Sequence, residues 1–341
     1  MTHANTVHRI NQVADSMFAV SMVPVSELAS YLKTFHAHVL GVVSYGHALT
    51  VDSKSKFTTI NVELPQLQDH PLAEVWHSTE ATEQGVAGFI RYSKSPKLLF
   101  ACLEFECETD LQHQTEVIYR ELLSFVNQAG YPNLLRIWNH FPLINDYEHV
   151  IERYQLFCMG RFTAFQKHFG DDFQQKLPAA SAIGTKGSKL SIYFFAATEP
   201  GFYLENPRQI SAYHYPEQYG PCSPSFARAT LFSQEDTNKL ILSGTASIVG
   251  HQTLHSGEPE KQLEETLRNI DGLLKHEIVL SRQKQPAQFT NVKVYVRHPA
   301  DLQKIQSRVS EYFGDQAPVL YLHGDICRSD LLLEIEGVCD L

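Results

Sequence analysis

No C-x-x-C pair, no cofactor-binding motif and no apolar run near the ~18 residues of a membrane span occur in these 341 residues. Positive charge is scarce too: 28 Lys and Arg stand against 38 Asp and Glu, a net charge of -10. That balance argues against a nucleic-acid partner held through its phosphates. An anionic substrate would need its own local cluster of arginines or lysines. Cys102, Cys107, Cys158, Cys222, Cys327 and Cys339 are scattered and read as reduced thiols of a cytoplasmic protein. The polar opening, Met1-Thr-His-Ala-Asn-Thr, has no basic stretch leading into an apolar one, so no cleaved signal is expected. What is present is ordinary for a globular chain, 43% hydrophobic and 19% charged, with a length suggesting about two domains.

The pattern predicts an α+β fold. Strands are expected at 38–45, 85–92, 97–105 and 133–139, with a helix after the third. In that helix Thr109 and Gln112 form a capping box, Leu111, Ile118, Leu122 and Phe125 form the apolar stripe, and Gly130 ends it. The C-terminal third repeats the order: strands at 225–232 and 239–249, a helix bearing Leu263, Leu267, Ile270 and Leu274, then a strand at 291–297. Two such units imply a duplication, with domains at 1–145 and 146–341 and helices packed on one face of mixed sheets. The first ~95 residues are expected to complete the first domain's sheet.

Several residues could carry chemistry. A helix over 146–169 places Val150, Tyr154, Phe157, Arg161 and Phe165 on one face. Arg161 then lies in an apolar stripe, where it needs an ion-pair partner, an escape to the surface or an anionic ligand. Gly160 beside it calls for the close approach of a ligand or another backbone. Arg228 shares a strand face with Phe226 and Thr230, either exposed or turned towards a ligand. Two arginines in apolar settings suit a substrate with carboxylates, which a guanidinium grips through two hydrogen bonds. Ser243-Gly-Thr-Ala-Ser is small for a strand, which fits tight packing or a ligand close to the backbone. In the run 330–336, Leu332, Glu334 and Glu336 share a face that is either solvated or able to hold a carboxyl protonated as a general acid. Gly184-Thr-Lys-Gly reads as a turn, and His251 and His255 lack the helix and glutamate of a zinc site.

Gly250-His-Gln-Thr, Leu267-Arg-Asn-Ile, Asn291-Val-Lys-Val-Tyr-Val and Leu333-Glu-Ile-Glu-Gly resemble the imine-deaminase (YjgF/RidA) superfamily. The arginine that follows a proline in those deaminases is absent from Pro318-Val-Leu-Tyr-Leu. Over residues 95–341 the chain more specifically resembles the chorismatases, a two-domain branch of that superfamily. The blocks are Leu135-Arg-Ile-Trp-Asn, Tyr154-Gln-Leu-Phe-Cys-Met-Gly-Arg-Phe, Ala182-Ile-Gly-Thr-Lys-Gly, Glu205-Asn-Pro-Arg-Gln, Tyr219-Gly-Pro, Ser223-Pro-Ser-Phe-Ala-Arg and Ser243-Gly-Thr-Ala-Ser.

The resemblance implies two RidA-like (chorismate mutase-like) layers and removal of the enolpyruvyl group of chorismate as pyruvate, with no cofactor and no metal. On that basis Glu334 protonates the enol methylene, Arg161 and Arg228 hold the carboxylates, and Tyr154 and Tyr215 donate from their phenols. Members that aromatise the ring share a glycine matching Gly244 and a cysteine matching Cys327. The expected product is therefore 3-hydroxybenzoate, alone or with the 4-isomer. The alternatives are a hydrolytic chorismatase that releases a dihydroxycyclohexadiene carboxylate, and a non-catalytic binder of small carboxylates. No membrane partner is expected, and the expected state is a cytoplasmic monomer.

Overall fold

The computed structural model describes residues 17–46, 49, 57–107, 109–234, 237–314 and 317–341. Three mixed sheets organise them. The first joins β1 (Phe18–Pro24), β2 (Val39–Tyr45), β3 (Thr58–Val62) and β4 (Leu72–Ser78) in the order β1-β4-β2-β3. The second has seven strands: β5 (Glu83–Ala87), β6 (Ile90–Lys94), β7 (Leu98–Glu106), β8 (Asn133–Pro142), β11 (Ala179–Thr185), β12 (Lys189–Ala197) and β20 (Asp325–Ile326). Their order is β20-β11-β8-β12-β7-β6-β5. The third runs β13-β14-β15-β21-β18-β19. Its strands are β13 (Phe202–Leu204), β14 (Ala229–Gln234), β15 (Thr237–Leu242), β18 (Gln288–Val296), β19 (Val319–His323) and β21 (Leu333–Asp340). Two short ribbons, β9 (Tyr147–Glu148) with β10 (Ile151–Glu152) and β16 (Ile248–Val249) with β17 (Gln252–Thr253), complete the count.

Each sheet is covered by helix on one face. Helix α1 (Val25–Phe35) covers the first, and α2 (Leu111–Gln128) and α3 (Arg153–Phe169) cover the second. The third carries α4 (Pro259–Leu274), α5 (Glu277–Arg282) and α6 (Leu302–Phe313). The opposite faces meet in one central core, where Tyr45 and Trp76 join Trp138, Tyr193 and Phe195 of the second sheet and Phe232, Ile241 and Tyr295 of the third. Strand β2 is buried at all seven positions because one face meets α1 and the other meets this core. No helix is long and apolar enough to cross a membrane among the described residues.

The N-terminal segment therefore departs from expectation. Residues of β1–β4 form a layer of their own, because a strand buried on both faces needs a partner layer on each side. Only β5 and β6 extend the second sheet, as a hairpin turning at Gly88, φ +58°. Strands from both sides of residue 145 pair in that sheet, β8 parallel to β11 and antiparallel to β12. A domain cut at 145/146 would break those ladders, whereas one between Ala197 and Phe202 would leave them whole.

Two helix starts also differ from the sequence pattern. Asp110, not Thr109, caps α2, its carboxylate accepting from the His113 N–H. Helix α3 starts at Arg153 and not at 146, because the β9–β10 ribbon occupies the preceding residues. Val150 is consequently 86% exposed and outside the stripe. Gly160 faces the α2 backbone, where a Cβ would lie 2.2 Å from the Gln112 carbonyl oxygen. Helix contact, not a ligand, accounts for that glycine.

Candidate active site

The second and third sheets meet where Ala179 bridges Ala227, and a cavity of about 140 Å³ opens beside that seam. All seven residues singled out above, Tyr154, Arg161, Tyr215, Arg228, Gly244, Cys327 and Glu334, line it. They come from five separate stretches of chain.

Strand β21 supplies Glu334. Its alternation sends Leu333 and Ile335 into the core under α4 and α6, and Glu334 and Glu336 to the opposite face, both buried. The two carboxyls then diverge. Burial drives Glu334 up from 4.5 to about 8, the charge of Glu336 adds to this, and Arg136 and Arg228 oppose it. Burial also pushes Glu336 upward, but Lys293 and Arg136 outweigh it and hold that carboxyl at about 2. The two environments favour the protonated form of Glu334 and the anion of Glu336. Environments that separate two carboxyls in this way suit the raised one to give up a proton.

The small-residue run holds Gly244 against Glu334. Thr245 and Ile335 exchange backbone hydrogen bonds at 2.8 Å each way, which clamps 243–247 along β21. The Ser243 hydroxyl accepts from the Ala180 N–H and donates to the Ala227 carbonyl, tying the run to β11. The space a Cβ would take at Gly244 is filled by the Glu334 carboxyl.

The arginines face the cavity without carboxylate partners. Among the described residues no ion pair reaches Arg161 or Arg228, although they are only 4% and 5% exposed. Arg161 lies over Tyr119, Phe165 and Phe157 at 5.0, 5.4 and 5.9 Å, and its Nε and Nη2 are buried without acceptors. Arg228 donates from Nη2 to the Tyr215 hydroxyl at 2.7 Å and the Ile210 carbonyl at 2.9 Å, which leaves Nε unpartnered. Of the alternatives the sequence left open, the ion pair and the exposed strand face are both excluded. Buried donors without acceptors are costly, and an anionic ligand would satisfy them.

A third arginine was not legible in the sequence. Arg328 stacks on Tyr219 at 3.9 Å, donates to the His251 carbonyl at 2.8 Å, and keeps Nη2 buried and free of acceptors. It sits in the irregular stretch between β20 and β21, where no periodicity assigns a face; its only signal was adjacency to Cys327. Ser181, Gln209 and Gln218 also line the cavity. Burial holds the Cys327 thiol up at about 12, so it stands there as a neutral thiol. Tyr154 is likewise pushed well above 10 by burial. Of Gly184-Thr-Lys-Gly, expected as a turn, the first two residues end β11 in register with β8 and only Lys186 and Gly187 lie in the bend, Lys186 pairing with Asp325; His251 meets the Tyr219 hydroxyl at 3.1 Å. Among the described residues no three His, Cys, Asp or Glu side chains converge as metal ligands.

Residues 74–196 match the family described as chorismatase FkbO/Hyg5-like, N-terminal. A 3-hydroxybenzoate synthase of Streptomyces hygroscopicus is 35% identical over 316 residues, 88% of this chain and 91% of that one. A chorismatase of Streptomyces rapamycinicus is 35% identical over 279 residues, 80% of this chain and 83% of the other. The crystal structure of a chorismatase superposes with a TM-score of 0.85 at 31% identity, covering 94% of this chain and 98% of that one.

Proposed function

The chain belongs to the chorismatase family, and from that premise we propose that it converts chorismate to pyruvate and 3-hydroxybenzoate in the cavity at the sheet seam. The observation that carries this proposal is a buried Glu334, its carboxyl pushed upward by burial, sharing one cavity with buried arginines that no protein carboxylate pairs among the described residues. Chorismate carries two carboxylates, one on its ring and one on its enolpyruvyl ether. The guanidiniums of Arg161, Arg228 and Arg328 would hold them. Tyr215 accepts from Arg228, which leaves its own O–H to donate to the same groups, and Tyr154, also in the lining, would donate as well.

In the first step the Glu334 O–H bond breaks and its proton goes to the enol methylene. The double-bond electrons form the new C–H bond, leaving an oxocarbenium carbon next to the ether oxygen. Breaking the bond from ring carbon to oxygen then returns an electron pair to that oxygen, which departs as the keto oxygen of pyruvate. Transfer of the neighbouring hydroxyl oxygen to the emptied ring carbon, and loss of a ring proton to the Glu334 carboxylate, gives the 3-isomer. Loss of the proton without transfer gives the 4-isomer. The atoms of pyruvate and hydroxybenzoate together make up chorismate, so neither water nor an oxidant is consumed. The arginines would offset the developing charge from fixed positions in a buried site.

The Cys327 thiol would support rearrangement over attack by water, and Gly244 would leave room for the ring pose that this route needs. We propose a monomer, because every group named comes from one chain, and a reducing cytoplasmic setting, because all six thiols are free. Incubation with chorismate alone, with pyruvate quantified and ring products separated by chromatography, tests the function. Pyruvate with 3-hydroxybenzoate is expected. Pyruvate with only the diene diol would leave the family assignment but overturn the product, and no pyruvate above the spontaneous rate would overturn the activity.

A further inference from the structure

A buried charge cluster behind Glu334 plays no part in the steps above. Glu336 accepts from Arg136 Nη2 at 2.6 Å, Trp138 Nε1 at 2.7 Å, Lys293 Nζ at 2.8 Å and the Tyr295 hydroxyl at 3.0 Å, and also from the Ser181 hydroxyl. Lys293 is shared: its Nζ also lies 3.0 Å from Glu74 Oε2 and donates to the hydroxyls of Tyr193 and Tyr45 at 3.0 and 3.1 Å. Glu74 accepts in turn from the Tyr45 hydroxyl at 2.7 Å and Trp76 Nε1 at 2.8 Å. All four charged side chains are at most 1% exposed, and two cations balance two anions. Nearby His140, its ring stacked on Tyr193, is held neutral by burial and by Lys293 and adds no charge.

Such a set is a poor device for stability, since well-packed apolar side chains do as well or better. Its position offers another use. Ser181 donates to Glu336 and accepts from the Gly244 N–H at 2.9 Å, at the place where the Glu334 carboxyl rests. Lys293 and Glu336 are cross-strand partners on β18 and β21, and Tyr295 and Glu334 form the next pair on the same face. The charged and titratable groups around Glu334 are Glu336 on its own strand, Tyr295 on β18, Arg136 on β8, Arg228 ahead of β14 and Cys327 after β20. Of these Glu336 supplies the one close anion, and an anion there disfavours a second at Glu334. Lys293 and Arg136 keep Glu336 ionised. Glu74 pairs with Lys293, so that cation is shared between two carboxylates.

We propose that Glu74, Lys293, Glu336 and Arg136 form a positioning device that fixes the place and protonation of Glu334, and that through Glu74 the N-terminal four-stranded sheet belongs to the catalytic unit. The inference rests on Glu334 being the acid of the reaction. Glu74 and Tyr45 come from β4 and β2, the layer to which the sequence assigned no chemistry.

The test uses the full chain with carboxyl-13C glutamate, the Glu334 signal being the one lost in Glu334→Gln. Its titration is followed by NMR in the ligand-free protein, beside the pH profile of turnover. Glu74→Gln leaves an excess cation and should lower the Glu334 midpoint by about half a pH unit or more. Lys293→Met leaves an excess anion and should raise it. The double variant Glu74→Gln/Lys293→Met should return it to the wild-type value, and the alkaline limb of turnover should move with it in each case. A wild-type midpoint in both single variants, whatever their melting temperatures, would overturn the proposal and leave the cluster a structural one. Either single variant carries the sign test if the other does not fold. If neither folds, charge-neutral Lys293→Met/Glu336→Gln must lower the midpoint, and an unchanged value there overturns the proposal as well. A wild-type protein that releases no pyruvate would defeat the function, while the titration would still decide this inference.

Discussion

A Cβ on Gly244 would sit 1.7 Å from Oε1 of Glu334, so this glycine is the seat of the Glu334 carboxyl. Gly244→Ala must push the acid away from the β21 backbone, and the carboxylate end is the part free to move. We predict that Gly244→Ala lowers kcat by about 10-fold or more while the protein stays folded, because overpacking of this kind costs about 1–3 kcal/mol. Steady-state kinetics beside a melting curve would check both.

Combining Gly244→Ala with Cys327→Val should shift the ring products away from 3-hydroxybenzoate towards the diene diol. The readout is the product ratio by chromatography. An unaltered ratio would remove both residues from the control of product.

Glu334→Gln should bind chorismate and turn it over about 10²–10⁴-fold more slowly, the span of general acid catalysis. Calorimetric titration separates the two effects. Lost binding with normal turnover of the bound fraction would contradict the role.

With Glu334 held at about 8, kcat/KM should fall as pH rises through that value, since only the protonated form is active. Stability follows the same sign. A carboxyl raised in the folded state contributes fully below 4.5, its ordinary value, and loses that contribution as pH climbs towards 8. Glu334→Gln removes this dependence. Its unfolding free energy should gain on the wild type between those limits, by up to about 1.4 kcal/mol for each pH unit, read from denaturant melts across that range.

Arg161→Lys and Arg228→Lys keep the charge but lose the planar fork. Each should raise KM for chorismate by about 10–100-fold, equivalent to the 1.5–3 kcal/mol of a charged hydrogen bond. Equal KM values would show that these guanidiniums do not hold the substrate.

Much of this site could be read before the fold was seen. Arg161 and Arg228 broke apolar patterns, Glu334 sat in an apolar strand, and the 243–247 run was too small for its neighbours; all of these are local signals, and all converge on one cavity. Arg328 left no such signal, because an irregular segment gives no period from which to assign a face. The central charge cluster was hidden for another reason. Glu74, Arg136 and Lys293 each occupy one position in an otherwise plausible strand, and their meeting depends on three sheets packing on one core. The separate N-terminal layer was missed likewise, since strand patterns record burial but not the partner that buries them. The sequence pattern sets the start of α3 too early because Val150 and Tyr154 fit a helical spacing by chance across the β9–β10 ribbon.

Turnover in D2O shows whether a solvent-exchangeable acid such as the Glu334 carboxyl delivers the proton to the enol methylene. Pyruvate would be trapped as it forms by reduction to lactate, before its methyl group exchanges, and weighed by mass spectrometry. A carboxyl acid exchanges with solvent, so one deuterium is predicted in the methyl group of the wild-type product. Pyruvate without deuterium would mean that the hydrogen comes from the substrate itself, and Glu334 could not then be its source.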